Sequence, residues 1–170
     1  LLIHSEVLSV RRAINYLVFL LALLSSLEVL GAPLIHHDIK VHLNPETGEI
    51  DLSDKITVRQ KSEFHFRLAS WLKMTKVLLD GKTVVPVRMT HGWRVVLPND
   101  AAHSLYFDIK GTIPPLPNRA MRGMTGDARA GAEGVFLPGY AAWVPDSGES
   151  QISYRVRARV PEPYRIVGTG

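Results

Sequence analysis

LIHHDIKVHLNPETGEIDLSDKITV, residues 34–58, decides the fold. Ile35, Ile39, Val41 and Leu43 share one parity, with Asp38, Lys40 and His42 on the other. A period of two puts the first set on one face of a strand and the second on the other, so the stretch reads as a half-buried strand. Asn44-Pro45-Glu46-Thr47-Gly48 is turn chemistry: asparagine opens it, proline fixes φ, and glycine accepts positive φ. Ile50, Leu52, Ile56 and Val58 then resume the alternation. The two runs are expected to form a hairpin with a five-residue loop.

The same grammar continues outward. SEFHFRLA, residues 62–69, sets Phe64, Phe66 and Leu68 on one face. KMTKVLLDGKTVVPVRM, residues 73–89, reads as two strands joined at Asp80-Gly81, where a tight primed turn needs positive φ. Pro86 cannot donate to a ladder and demotes its run to an edge or a bulge. WRVVLP, SLYFDIKG and QISYRVRARVP supply further short strands. No helical period appears after residue 33, and turn signals recur about every 8–12 residues. The fold class expected is all-β, an antiparallel sandwich or open barrel of about eight short strands. Residues 114–133, PPLPNRAMRGMTGDARAGAE, have no period and read as a long loop.

The N-terminal residues differ in kind. Arg11 and Arg12 precede AINYLVFLLALLSSLEVLGA, a basic region followed by an apolar core and small residues. That is the layout of a secretory signal. The apolar core, Leu17 to Leu24, is short against the roughly 20 residues of a membrane span. Residues 1–32 are therefore expected to be a signal peptide, with a membrane anchor or a buried helix as alternatives, and residues 33–170 the β-domain. Positive charge ahead of the apolar core sends the remainder outward. The expected location is periplasmic or extracellular, with anchoring to the inner membrane as the variant. Leu1 and Gly170, the latter within a strand-like pattern, suggest that both ends are cut.

Composition bounds the chemistry. The 170 residues suit one ordinary domain, 46% are hydrophobic, and there is no cysteine. Thiolate nucleophiles, disulfides and cysteine-ligated zinc are thereby excluded from the chain. A net charge of +4, spread along the sequence without a basic run, gives no nucleic-acid footprint. His-Glu-x-x-His, Gly-x-Ser-x-Gly, the Walker loop and the dinucleotide fingerprint are all missing. His36 and His42 share a strand face with Asp38, a trio that zinc would need further ligands to use; a solvated strand face is the simpler account. GMTGDARAGAEG, residues 123–134, lacks the strand before and helix after that a phosphate loop requires.

Two features remain as candidate contacts. GVFLPGYAAWVPDSGES, residues 134–150, carries Phe136, Tyr140 and Trp143; Asp146, Ser147 and Glu149 in it read as turn residues. A flat platform of all three rings needs a bulge at Gly139, because Trp143 differs in parity from the other two. Arg155, Arg157 and Arg159 form a row on one face of the last strand. It suits an anionic surface, a neighbouring domain's carboxylates, or plain solvation.

The order of segments resembles a known family. DIKVHLNPETGEIDLSDKITV, a Phe-x-Phe-x-Leu strand, KVLLDGKTVVPV, LYFDIKGTIPP and GVFLPGYAAWVPDSGESQISYRVRARVPEPYRIVGTG follow one another as in the N-terminal β-domain of gluzincin zinc aminopeptidases of the alanyl aminopeptidase type, most similar in the bacterial branch. The resemblance covers residues 35–170. It implies a saddle of sandwiched sheets and a following catalytic domain that holds zinc and cleaves N-terminal residues from peptides. None of that domain's zinc or catalytic residues stands in this sequence. The resemblance therefore implies no catalytic residue and no cofactor in this chain, and zinc only in the following domain. It makes that domain the partner, with peptide bound only through it, and the membrane reached only through the N-terminal segment. It places residues 134–145 toward the catalytic domain. A stand-alone extracellular binding module, using Phe136, Tyr140 and Trp143 or the arginine face, is the alternative.

Overall fold

The computed structural model describes residues 34–115, 127–150 and 152–168. The expected signal segment, residues 1–32, and the middle of the Gly/Pro-rich loop, residues 116–126, lie outside the described residues. Among those described there are eleven strands and no α-helix, so the fold is all-β. The opening hairpin is β1 (Ile35–Leu43) and β2 (Glu49–Val58). Then come β3 (Glu63–Phe66), β4 (Leu72–Leu79), β5 (Lys82–Thr83) and β6 (Val87–Met89). β7 (Gly92–Val96), β8 (His103–Thr112), β9 (Arg129–Gly131), β10 (Gly134–Phe136) and β11 (Ile152–Arg159) complete the set.

The hairpin forms for the reasons its residues give. Gly48 takes φ 71°, and Asn44 Oδ1 accepts the backbone N–H of Glu46 at 3.1 Å, closing the turn. A side chain at Gly48 would stand 2.8 Å from the Ile113 carbonyl oxygen, so the position needs glycine on both counts. Asp80 (φ 49°) and Gly81 (φ 81°) form the second tight turn, both in the left-handed region that a primed hairpin turn requires.

Six strands form one sheet in the order β11-β1-β2-β8-β4-β5, and three form a second, β3-β7-β6. β9 and β10 make a separate two-stranded ribbon. Pro86 lies between β5 and β6, at the point where the chain leaves the large sheet for the small one. A residue without a backbone donor fits there, because the chain is unpaired as it crosses. The core lies between the two sheets. Phe64 and Phe66 of β3 stack at 5.5 Å, and Phe66 meets Phe107 of β8 edge-on at 5.2 Å. Ile35, Leu52, Ile56, Leu105 and Ile109 surround them, all fully buried.

The all-β class with mainly antiparallel pairing holds, with two departures in detail. The sandwich is not wholly antiparallel: β11 lies beside β1 in parallel, Ile35 opposite Ile152 and Val41 opposite Ala158. β11 returns to the start of the sheet after a long excursion, and a parallel neighbour needs such a crossover rather than a hairpin. The second half of the expected long loop is a hairpin, with β9 pairing β10 from Gly131–Gly134 to Arg129–Phe136. Its buried residues, Ala128 and Ala130, are too small to produce a hydrophobic alternation, which is why no period showed.

Candidate functional site

Each strand face of the large sheet has its own chemistry. The inward positions of β1 and β2 are apolar with two exceptions, His37 and Asp54, both on the inward parity. Asp54 stands opposite Ile39, one step along from His37 opposite Ile56, so the two side chains meet diagonally across the pair. The His37 Nδ1–H donates to Asp54 Oδ2 at 2.7 Å, with His37 4% and Asp54 0% exposed. The other carboxylate oxygen, Oδ1, is buried without a hydrogen-bond partner. Hydrophobic alternation alone does not announce this pair. Its signal was there in parity: position 37 belongs with 35 and 39, and position 54 with 52 and 56.

The histidines are dispersed into local roles. His36 Nδ1 meets Ser153 Oγ at 2.7 Å across β1 and β11, while Asp38 accepts from the Arg157 guanidinium. His65 is exposed and pairs with Glu63 at 2.9 Å. His103 is buried with its Nδ1 2.7 Å from Asp80 Oδ2, and Asp80 Oδ1 accepts the Ser104 N–H at 2.8 Å. That pair pins the Asp80-Gly81 turn to the start of β8, a contact that no local pattern in the sequence announces. Among the described residues no three His, Asp or Glu side chains come together as a metal site.

The aromatic stretch is split by a short 3-10 turn, Gly139–Ala141, ending at Ala142 with φ 48°. Phe136 is 57% and Tyr140 65% exposed, whereas Trp143 is half-buried and packs against the core. The Ala69 N–H donates to the Ala142 carbonyl at 2.9 Å, and Arg67 and Asp146 exchange backbone hydrogen bonds at 2.8 and 2.9 Å. Asp146 also receives the Arg67 guanidinium and the Gly148 N–H, and Glu149 reaches Lys61 at 2.7 Å. The stretch is thus stitched to the edge of β3 by its turn residues.

β11, at one edge of the large sheet, is poorly covered. Ile152, Tyr154, Val156 and Ala158 stand opposite Ile35, His37, Ile39 and Val41, so they share the sheet's inward face. Yet Tyr154 is 60% and Val156 42% exposed, while every inward position of β1 is buried. The apolar face continues past its cover. On the opposite face lie Arg155, Arg157 and Arg159, all exposed and in register with Asp38, Lys40 and His42. The Arg157 hydrogen bond, assisted by the charges of Arg157, Arg155 and Lys40, holds the Asp38 carboxyl below the usual aspartate range against a smaller opposing effect of burial. A carboxyl depressed on folding stabilises above its unfolded value, about 3.9, and that contribution fades as pH falls through the lower folded value. Hydrogen exchange along β11 is therefore expected to quicken relative to β2 as pH drops below about 4. An Asp38→Asn variant should lack that part of the pH dependence. An unchanged profile in the variant would show that the Arg157 contact does not hold the strand.

Solved structures share this fold. An M1 zinc metallopeptidase from Deinococcus radiodurans has a TM-score of 0.57 at 19% identity, covering 78% of this chain and 34% of that one. A mutant of an M1 zinc metallopeptidase from the same organism, bound to a Tyr-Ser-Ala substrate, gives 0.58 at 18% identity, with 78% and 33% covered. A mutant of a two-domain M1 zinc metallopeptidase bound to L-arginine gives 0.57 at 18%, with 78% and 34% covered. What is shared is the fold. The chain spans about a third of the length of these proteins. No protein-family model matches the chain, and no curated protein matches it.

Proposed function

We propose that this domain is the non-catalytic N-terminal scaffold of a secreted zinc-aminopeptidase-like metallopeptidase, closing one side of the cavity in which a following domain cleaves peptides. The observation that carries the reading is the match of 78% of this chain to a third of each M1 zinc metallopeptidase. The exposed apolar side chains of Tyr154 and Val156, neighbours on one face of β11, support it, because adjoining exposed apolar residues suit an interaction site. Tyr154 and Val156 on that face, with Ile166 and Val167 just after it, are the surface offered to the following domain. Phe136, Tyr140 and Trp143 are further candidate contacts on the same reading. Zinc and the groups that activate water belong to that domain; this chain contributes shape and exclusion.

The test has two arms. Incubated with alanyl or leucyl chromogenic amides and zinc, the 170-residue chain should show no turnover. Joined to the residues that follow it in the reading frame, it should hydrolyse them in a chelator-sensitive way. Tyr154→Asp with Val156→Asp should change the stability of the chain alone by about 0.5 kcal/mol or less, as exposed substitutions do. The same pair should lower activity and thermal stability of the longer protein. Turnover by the chain alone, or indifference of the longer protein to both aspartates, would sink the proposal.

A further inference from the structure

The outward face of the large sheet carries a net positive charge. Residues directly opposite each other in a sheet share a face, so the register assigns every position. On β11 and β1 the outward side chains include Arg155, Arg157, Arg159 and Lys40, against Asp38 alone. On the three strands that follow, β2, β8 and β4, Lys55, Lys110, Lys73 and Lys76 stand against Glu49, Asp51 and Asp108. Eight cations against four carboxylates leave this face with four positive charges, equal to the formal net charge of the whole chain, +4. All eight cations are exposed, and no outward position of these strands is buried. The excess is steepest at the β11 edge, where it reaches three charges over two strands.

From this we infer that the outward face of the β11-β1-β2-β8-β4 sheet is a docking surface for the anionic headgroups of a lipid bilayer. Five strands at about 4.8 Å spacing and 8–10 residues of length give a broad face roughly 20 Å by 30 Å, with open hollows between its side chains. A broad face of excess positive charge matches a surface whose negative charge is diffuse. A nucleic-acid strand fits less well: it needs aromatic platforms along a basic track. Tyr106, on this face, spends its hydroxyl on Asp108 at 2.6 Å. The carboxylates of Asp38, Asp51 and Asp108 interrupt the track at close range but leave the summed field positive. In the sequence, Arg11, Arg12 and an apolar run lie just ahead of β1, the composition of a segment that meets a membrane. The inference goes beyond the scaffold reading and does not depend on it: it concerns the face of β11 opposite to Tyr154 and Val156.

The test is co-sedimentation of the full chain with vesicles of phosphatidylcholine alone or with about one part in three phosphatidylglycerol. The variant carries Lys40→Gln, Arg155→Gln and Arg159→Gln, leaving Arg157 to its partner Asp38. Wild type should bind the anionic vesicles more tightly than the neutral ones, and this preference should collapse as salt approaches about 0.5 M. Each cation at such a surface contributes about fivefold, so the triple variant should lose at least tenfold of its anionic preference. The apolar N-terminal residues are common to both proteins, so the ratio reports the face alone. Equal binding to both vesicle types, salt-insensitive binding, or an unchanged preference in the folded variant would overturn the inference. So would tighter binding of a single-stranded oligonucleotide than of anionic vesicles. Should the variant fail to fold by circular dichroism, the single variant Arg159→Gln replaces it, with a loss of about fivefold in anionic preference expected and an unchanged preference overturning the inference. Peptidase activity enters none of these readouts, so this inference and the scaffold reading fail separately.

Discussion

Replacing His37 with leucine is expected to destabilise the domain by about 3–5 kcal/mol, more than removing a surface charge, because it strands a carboxylate inside the sandwich. Asp54 is 0% exposed, and its Oδ1 already lacks a partner. Its one hydrogen bond, 2.7 Å from His37 Nδ1, is the contact that makes its burial tolerable. Asp54→Leu should cost less, about 1–3 kcal/mol, since what it leaves behind is a ring N–H without an acceptor rather than a bare charge. The double variant should recover most of the loss, because a buried pair exchanged for apolar residues of similar volume is often neutral or stabilising. Urea unfolding of the four proteins measures this. A strong positive coupling is the expected result, and costs that simply add would show that the two side chains do not act as a pair.

The pair also shows what was legible in the sequence. Alternation over Ile35–Leu43 and Ile50–Val58 specified two strands and their buried faces, and Asn44–Gly48 and Asp80-Gly81 specified the turns. These are local patterns, and local patterns survive in a single sequence. His37 and Asp54 were legible in parity but hidden by residue type, because polar residues are read outward until a register places them together. The β1–β11 pairing was not legible at all. Its partners, such as His36 and Ser153, stand 117 residues apart, and nothing in either strand announces the other. The uncovered state of Tyr154 and Val156 follows from that pairing: their alternation reads as a core face, and only the position of β11 at the sheet's edge shows that the cover ends before it. Phe136, Tyr140 and Trp143 were visible as aromatics, but their separation by the Gly139–Ala141 turn required the backbone.

The second large effect belongs to Phe107. Its ring is fully buried in β8 and meets Phe66 of the small sheet at 5.2 Å with planes 72° apart, an edge-to-face contact that joins the two sheets. Phe66 in turn stacks on Phe64, so the three rings form one continuous layer of the core. Phe107→Ala removes the end of that layer that the large sheet supplies. The opposing strands are held apart by neighbours such as Leu105 and Ile109, so the sheets cannot close onto the gap and a cavity remains. The expected loss is about 3–5 kcal/mol by denaturant unfolding, with Phe107→Leu losing less because it retains most of the volume. The loss should be shared by both sheets: amides of β3 and β7 should exchange faster along with those of β8, since the contact removed is the one between the layers. A loss confined to β8, with β3 and β7 still protected, would mean that the small sheet is held by its own edges and by the Arg67–Asp146 bridge rather than by this core.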